Sequence, residues 1–167
     1  MLAARCAWTI LRAEHTQIRR RLASIAATLR GECWTQPGPA LTRLRHLIES
    51  LQSFDLACHR PKGLGLMEAL RGRSPDAERL LAVLERERAF DDALLVQALG
   101  MLHVIADGDA RIGVDCAAIL KQHRERVLRH LEQEGTLLCA LSEALLTDEE
   151  WSLVVSGISS VLYAPRT

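Results

Sequence analysis

WTILRAEHTQIRRRLASIAATL, residues 8–29, carries core-type residues at every third or fourth position. That spacing places them on one face of an α-helix, whereas a half-buried strand would alternate every second residue. Gly31 interrupts the pattern, and glycine is a common residue just past a helix. The stretch therefore predicts a first helix over residues 2–30, whose inner face comprises Trp8, Leu11, His15, Ile18, Leu22, Ile25 and Leu29.

The same periodicity recurs in three more segments of similar length, separated by glycine- and proline-rich turns. They span residues 39–70, 75–106 and 113–146. Pro61 should loosen the second of them because proline lacks a backbone N–H. The inner face of the fourth is expected to continue through Leu137. A short fifth helix should begin at Thr147, where Thr147 and Glu150 form a capping box.

Composition agrees with long helices and gives no support to a sheet. Leu, Ala, Arg and Glu dominate, and aromatic residues make up only 4% of the chain, which favours helix over strand. A chain of 167 residues has room for one ordinary domain. We therefore predict a single all-α domain over residues 1–167, folded as an antiparallel up-down four-helix bundle with a short C-terminal fifth helix.

Charge and cysteine usage narrow the classes of partner and location. Lys plus Arg and Asp plus Glu both number 21, so no net charge attracts nucleic acid or an anionic membrane. No uninterrupted apolar run reaches the roughly 18 residues of a membrane span, and no secretory signal is recognisable. The five cysteines are widely spaced without a CxxC pair, as in reduced proteins. We expect a cytoplasmic protein with neither a nucleic-acid nor a membrane partner.

The candidate functional residues are polar ones that interrupt the apolar inner faces. A buried charge or imidazole without a partner costs several kcal/mol, so such residues pair with each other or bind a metal ion. His130 and Glu134 are four residues apart, share one helix face and could address one ion. The whole set comprises His15, His59 (next to core-type Cys58), Arg88, Asp91, His130 and Glu134. In an up-down bundle all of them except Asp91 are expected to meet at one level.

Several of these residues lie in segments that resemble known motifs. The segments are Leu11–His15 ("LxxEH"), Cys58–Lys62 ("HHPKE"), Leu84–Arg88 ("EH"), His130–Glu134 ("HxxxE") and Leu146–Trp151 ("LTxxEW"). Taken in order along nearly the whole chain, they resemble the hemerythrin-like, or HHE cation-binding, family. That resemblance implies a carboxylate-bridged di-iron centre inside a helical bundle, used in oxygen binding, iron sensing or stress responses.

The resemblance also implies a ligand set, which this chain matches only in part. One iron would take His15 and His59. The other would take His130 and a histidine of the third helix, with Glu134 and a glutamate of the second helix as bridges. Gly63 stands where that bridging glutamate is expected, and Arg88 stands where the third-helix histidine is expected. Arginine stays protonated and cannot ligate a metal ion, so we expect an incomplete site.

Two hypotheses follow. In the first, one ion of non-haem iron, or alternatively zinc or nickel, is bound by His15, His59 and Glu134, with His130 as a fourth ligand or beside the site. The protein would then sense or bind metal, or retain a redox role. In the second, Arg88 pairs with Glu134, and with Asp91, and replaces the metal. The bundle would then be a metal-free regulatory or dimerising module.

The other features of the sequence contribute less to the functional interpretation. No nucleophile and base share helical spacing, so an enzymatic role is not favoured. His46 and His103 are expected on helix surfaces, whereas His123 becomes a further ligand candidate if it faces inward. The apolar tail from Trp151 to Tyr163 should pack across the end of the bundle, with a homodimer contact as the alternative. No protein partner can be named from the sequence.

Overall fold

The computed structural model describes residues 2–31 and 33–163, with the backbone alone for residues 161–163, and its regular secondary structure is entirely helical. This confirms the predicted all-α class. Short 3₁₀ turns occupy Cys33–Thr35 and Ala110–Ile112. The helices are α1 Leu2–Leu29, α2 Pro39–Phe54, α3 Arg60–Leu70, α4 Pro75–Ala106, α5 Gly113–Gln133, α6 Cys139–Leu145 and α7 Asp148–Tyr163.

Two π-helical turns interrupt the second and fourth of the helices predicted from the sequence. The turn Asp55–His59 joins α2 to α3, and the turn Glu134–Leu138 joins α5 to α6. At their ends the N–H of Arg60 bonds to the carbonyl of Asp55, and the N–H of Cys139 to that of Glu134, five residues back in each case. Single π-helical turns inside α-helices are frequent at functional sites. Here one turn ends at His59 and the other begins at Glu134.

Each wide turn shifts the buried face of the following helix by one residue. Leu137, which the helical spacing placed on the inner face, is 52% exposed, while Leu138 is buried in its place. Likewise His59 is buried and its neighbour Cys58 is only half-buried. The prediction for Leu137 was wrong because an α-helical period does not count the extra residue of a π-helical turn.

The apolar core consists of two clusters that lie on either side of a polar layer. On α1 the layer separates Leu11 from Ile18, which belong to different clusters. The same division falls between Leu131 and Leu138 across the second π-helical turn. The layer is therefore formed by polar residues from several helices at one level. Its buried members are Glu14, His15, His59, Lys62, Asp91, His130 and Glu134.

The C-terminal helix α7 closes the apolar cluster on the α3 side. It contacts α1 and α3, and Trp151 is fully buried. Its start has the predicted capping box: the Thr147 N–H donates to the Glu150 carboxylate at 2.8 Å, and the Glu150 N–H donates to Thr147 Oγ1 at 3.3 Å. The described part of the tail therefore packs on the fold, as expected.

By length and composition alone, α4 is the one described helix that is long and apolar enough to cross a membrane. Asp91 and Asp92 of this helix are ion-paired with Arg126 and Arg60, and these carboxylates interrupt the apolar run. The expectation that the protein has no membrane partner stays a prediction.

Candidate metal centre

The carboxylate of Glu134 is the centre of the polar layer. Its Oε2 lies 3.0 Å from His15 Nε2 and 3.2 Å from His59 Nε2. Its Oε1 lies 3.1 Å from His130 Nε2 and 3.2 Å from Arg88 Nη2. Glu134 is buried together with all three histidines. Apart from Asp91, the residues singled out from the sequence thus converge on one carboxylate from α1, the first π-helical turn, α4 and α5.

Three of these residues meet the geometric requirement for a metal site. Ligand atoms of His15, His59 and Glu134 all lie within 4.8 Å of one another, and all three side chains are buried. The rings of His15 and His59 meet edge to face, with centroids 5.1 Å apart. His130 stands apart, because its Nε2 faces the other oxygen of Glu134 and its Nδ1 lies 3.3 Å from Glu87.

His59 is the residue whose hydrogen bonding is incomplete. Its Nε2 lies near Glu134 and its Nδ1 lies 3.5 Å from Glu14 Oε2, but neither nitrogen has a properly aligned hydrogen bond. A buried polar atom without a partner costs about 1–3 kcal/mol. A metal ion that displaces the ring proton can bind to a nitrogen that no hydrogen bond engages, so the unpaired imidazole fits a ligand role.

The electrostatics of the cluster favour a carboxylate anion beside a cation. Burial by itself would raise the pKa of Glu134, but hydrogen bonds from His130 and His15 and the close imidazole of His59 hold that pKa well below its usual range. Burial by itself would lower the pKa of His59, but the carboxylates of Glu134 and Glu14 outweigh it and raise that pKa to about 9. The cluster is therefore built to hold positive charge next to Glu134.

Position 63 faces the same carboxylate. A Cβ built on Gly63 would lie 3.7 Å from Arg88 Nη2 and 3.9 Å from Glu134 Oε1, which is ordinary van der Waals contact. Gly63 and Arg88 thus lie together on the Oε1 side of Glu134. A cation already occupies that side and no carboxylate projects from position 63. The residues present fit one metal ion on the Oε2 side, and they do not fit a second ion on the Oε1 side.

Glu14 and Lys62 form a buried ion pair next to His59. Neither residue was identified from the sequence as part of the site. The Lys62 ammonium donates to Glu14 Oε1 and, at 2.9 Å, to the carbonyl of Cys58. The other oxygen of Glu14 faces His59. The spacing could have revealed both residues, because Glu14 lies midway between core Leu11 and Ile18, and Lys62 precedes buried Leu66 by four positions.

Asp91 does not join the network around Glu134. It accepts a hydrogen bond from Arg126 Nε at 2.6 Å, and its burial raises its pKa despite that arginine. The part of the ion-pair hypothesis that assigned Asp91 to Arg88 and Glu134 is wrong, because Arg126 of the neighbouring helix is the closer cation. The Arg88–Glu134 contact itself is present.

The remaining histidines lie outside the cluster. His46 and His103 are exposed, as expected. His123 is buried, yet its ligand atoms are not among those grouped around Glu134. It lines a cavity of about 250 Å³ that also reaches His59, Arg88 and His130. The cavity connects the polar layer with the space between the helices.

Comparison with known proteins identifies no family that this chain matches. No protein-family model matches the chain, and no curated protein or solved structure is significantly similar to it. The interpretation of the site therefore depends on its own residues and on the motif resemblance.

His123 should make stability depend on pH. Burial lowers its pKa to about 4, whereas the unfolded chain binds the proton near pH 6.5. The unfolded state therefore binds more protons between these values, so His123 costs stability as the pH falls below 6.5, by about 2 kcal/mol at pH 5. Urea unfolding at pH 7.5 and pH 5.0 measures the loss.

The matched variants are His123→Gln and His46→Gln, which alter a buried and an exposed imidazole. We expect His123→Gln to lose about 2 kcal/mol less than the wild type between the two pH values, and His46→Gln to behave as the wild type. Equal losses in all three proteins would show that His123 is not held neutral.

Proposed function

We propose that this protein is a hemerythrin-like antiparallel four-helix bundle that binds a single transition-metal ion through His15, His59 and Glu134. Its role would be metal-dependent sensing or binding rather than oxygen transport at a di-iron centre. The observation that carries the proposal is the buried imidazole of His59, which lies beside Glu134 and Glu14 without an aligned hydrogen bond at either nitrogen.

The helix arrangement supports the same proposal. Polar residues from the long helical segments meet at one level between two apolar clusters, as expected when ligands project inward from the helices of a bundle. The first π-helical turn places His59 on the inner face, one residue away from where a regular helix would place it. The second begins at Glu134 and shifts only the residues that follow it.

The donor set defines the metals that suit the site. Two imidazoles and a carboxylate suit iron(II), zinc or nickel. The ion would have to displace the proton that the pKa of about 9 keeps on His59 at neutral pH. Such an ion would supply a Lewis-acidic or redox-active centre. Around it, Glu14 and Lys62 would hold the ring of His59, and Arg88 would fix Glu134 by its other oxygen. Glu87 faces the far nitrogen of His130. Carboxylates that orient a histidine ring in this way typically improve metal affinity.

Metal titration of the full-length protein tests the proposal. After chelator treatment, iron(II) under nitrogen, zinc(II) and nickel(II) are each titrated by calorimetry. We expect one ion per chain for at least one of these metals, because one complete group of donors is present. His59→Ala should abolish saturable binding, since it leaves only two donors.

The matched control is His103→Ala, which removes an exposed histidine that lies 3.8 Å from Asp107 and so excludes adventitious surface binding. It should bind metal as the wild type does. Wild-type protein that takes up no metal, or uptake that His59→Ala leaves unchanged, would rule the proposal out.

A second candidate function is favoured by one contact. Arg88 Nη2 lies 3.2 Å from Glu134 Oε1, and in this reading Arg88 replaces the metal and the bundle is a metal-free regulatory or dimerising module. The metal titration separates the two candidates, because this one predicts that neither the wild type nor His59→Ala binds metal.

A further inference from the structure

The cavity beside the polar layer is larger than a packing defect. It measures about 250 Å³ and is lined by residues of α1, α2, the first π-helical turn, the start of α3, α4 and α5, whereas one water molecule occupies about 30 Å³ of liquid. Leu56 and Val96 line it and are 58% and 66% exposed. These two residues mark an apolar mouth that opens to solvent. Deeper apolar wall residues are Ile18, Leu51, Leu95, Val127 and Leu131.

The arginines and aspartates of the wall already have partners, and His59 lies beside the carboxylates of Glu14 and Glu134. Arg60 donates to Asp55 at 2.6 and 2.9 Å and to Asp92 at 2.7 and 2.9 Å. Asp91 is paired with Arg126, and Arg88 with Glu134. A charged ligand would have to break one of these partly buried pairs, which is costly. The wall therefore favours a neutral ligand.

His123 is a buried polar group of the wall that has no hydrogen-bond partner. It is 4% exposed, and no hydrogen bond or ion pair joins it to any residue in 2–31 or 33–160. Because burial lowers its pKa to about 4, its ring is neutral at neutral pH and offers one N–H and one lone pair. A ligand with a single hydrogen-bonding group would complete it.

We propose that this cavity binds a small, neutral, largely apolar molecule about the size of two fused rings, hydrogen-bonded to the imidazole of His123. An engineered apolar cavity of about 150 Å³ in another protein holds benzene, so the larger cavity here accommodates a second ring. Ligand binding in this cavity needs no metal ion. Its test is therefore independent of the test of the proposed function.

Three probes of similar shape test the site in full-length protein with a chelator present. Indole is neutral and has one N–H, indene is its hydrocarbon counterpart, and indole-3-carboxylate carries a charge. Each is titrated and followed by calorimetry and by amide NMR shifts. We expect indole to bind roughly fivefold or more tightly than indene, because only indole satisfies His123. The carboxylate should bind more weakly than indole.

Variants locate the site. His123→Phe should remove the preference for indole over indene, and His123→Leu serves the same purpose if the phenylalanine variant does not fold. Val96→Trp, at the exposed mouth, should weaken both ligands, whereas Val104→Trp, at an exposed position of the same helix outside the cavity lining, should change neither.

Several outcomes would overturn the proposal. They are an absence of saturable indole binding, tighter binding of the carboxylate, a preference for indole that survives in His123→Phe or His123→Leu, and affinities that Val96→Trp leaves unchanged. NMR shifts confined to residues away from the cavity would equally contradict it.

Discussion

Replacing Glu134 by alanine should lower the free energy of unfolding by about 3–5 kcal/mol and abolish metal binding. Glu134 accepts from His15, His130 and Arg88 and lies beside His59. Removing it leaves a guanidinium and three imidazoles buried without their shared anion. Urea unfolding at pH 7.5 measures the first effect, and metal titration of the same preparations measures the second.

Two variants separate charge from packing. Glu134→Gln retains the shape and one oxygen but loses the negative charge, so we expect a smaller loss of stability and still no metal binding. Glu132→Ala alters an exposed glutamate on the same helix and should change neither quantity. If Glu134→Ala unfolds at the same urea concentration as the wild type, Glu134 is not the common partner of the polar layer.

Completing the ligand set should raise the iron content from one ion per chain to two. The double variant Gly63→Glu with Arg88→His supplies a carboxylate and an imidazole on the Oε1 side of Glu134. The structure has room for the first change, since a Cβ at position 63 makes only ordinary contacts. The second change removes the cation that opposes a metal ion. Iron analysis after anaerobic reconstitution measures the result.

The single variants show why both changes are needed. In Gly63→Glu alone, the new carboxylate would face Arg88 and form an ion pair, so the iron content should stay at one. In Arg88→His alone, the second ion would lack its bridging carboxylate and bind weakly. A double variant that binds no more iron than the wild type would mean that positions 63 and 88 do not form the second half of the site.

The helices were predictable from the sequence because apolar spacing and turn residues act locally. The segments predicted over residues 75–106 and 113–146 agree with α4 and with the α5–α6 unit to within one residue. The register beyond Glu134 was not predictable. A π-helical turn adds one residue per turn, and the sequence has no strong local signal for the turn at Glu134–Leu138.

The site was predictable in its histidines and less so in its surroundings. His15 and Glu134 lie on inner helix faces, so their spacing alone identified them as candidate site residues. His59 did not fall on such a face and was found by its motif; the structure explains its burial by the π-helical turn that ends there. Lys62 was not identified because lysine is seldom buried. Its burial is energetically tolerated only because a partner such as Glu14 neutralises its charge.

The most direct measurement is a crystal structure of the zinc-loaded full-length protein, with anomalous data collected on both sides of the zinc absorption edge. We expect one strong anomalous peak per chain, lying among His15, His59 and Glu134, and none on the Arg88 side of Glu134. A peak between His103 and Asp107 alone, or no peak within the polar layer, would contradict the claim that this layer is a metal centre.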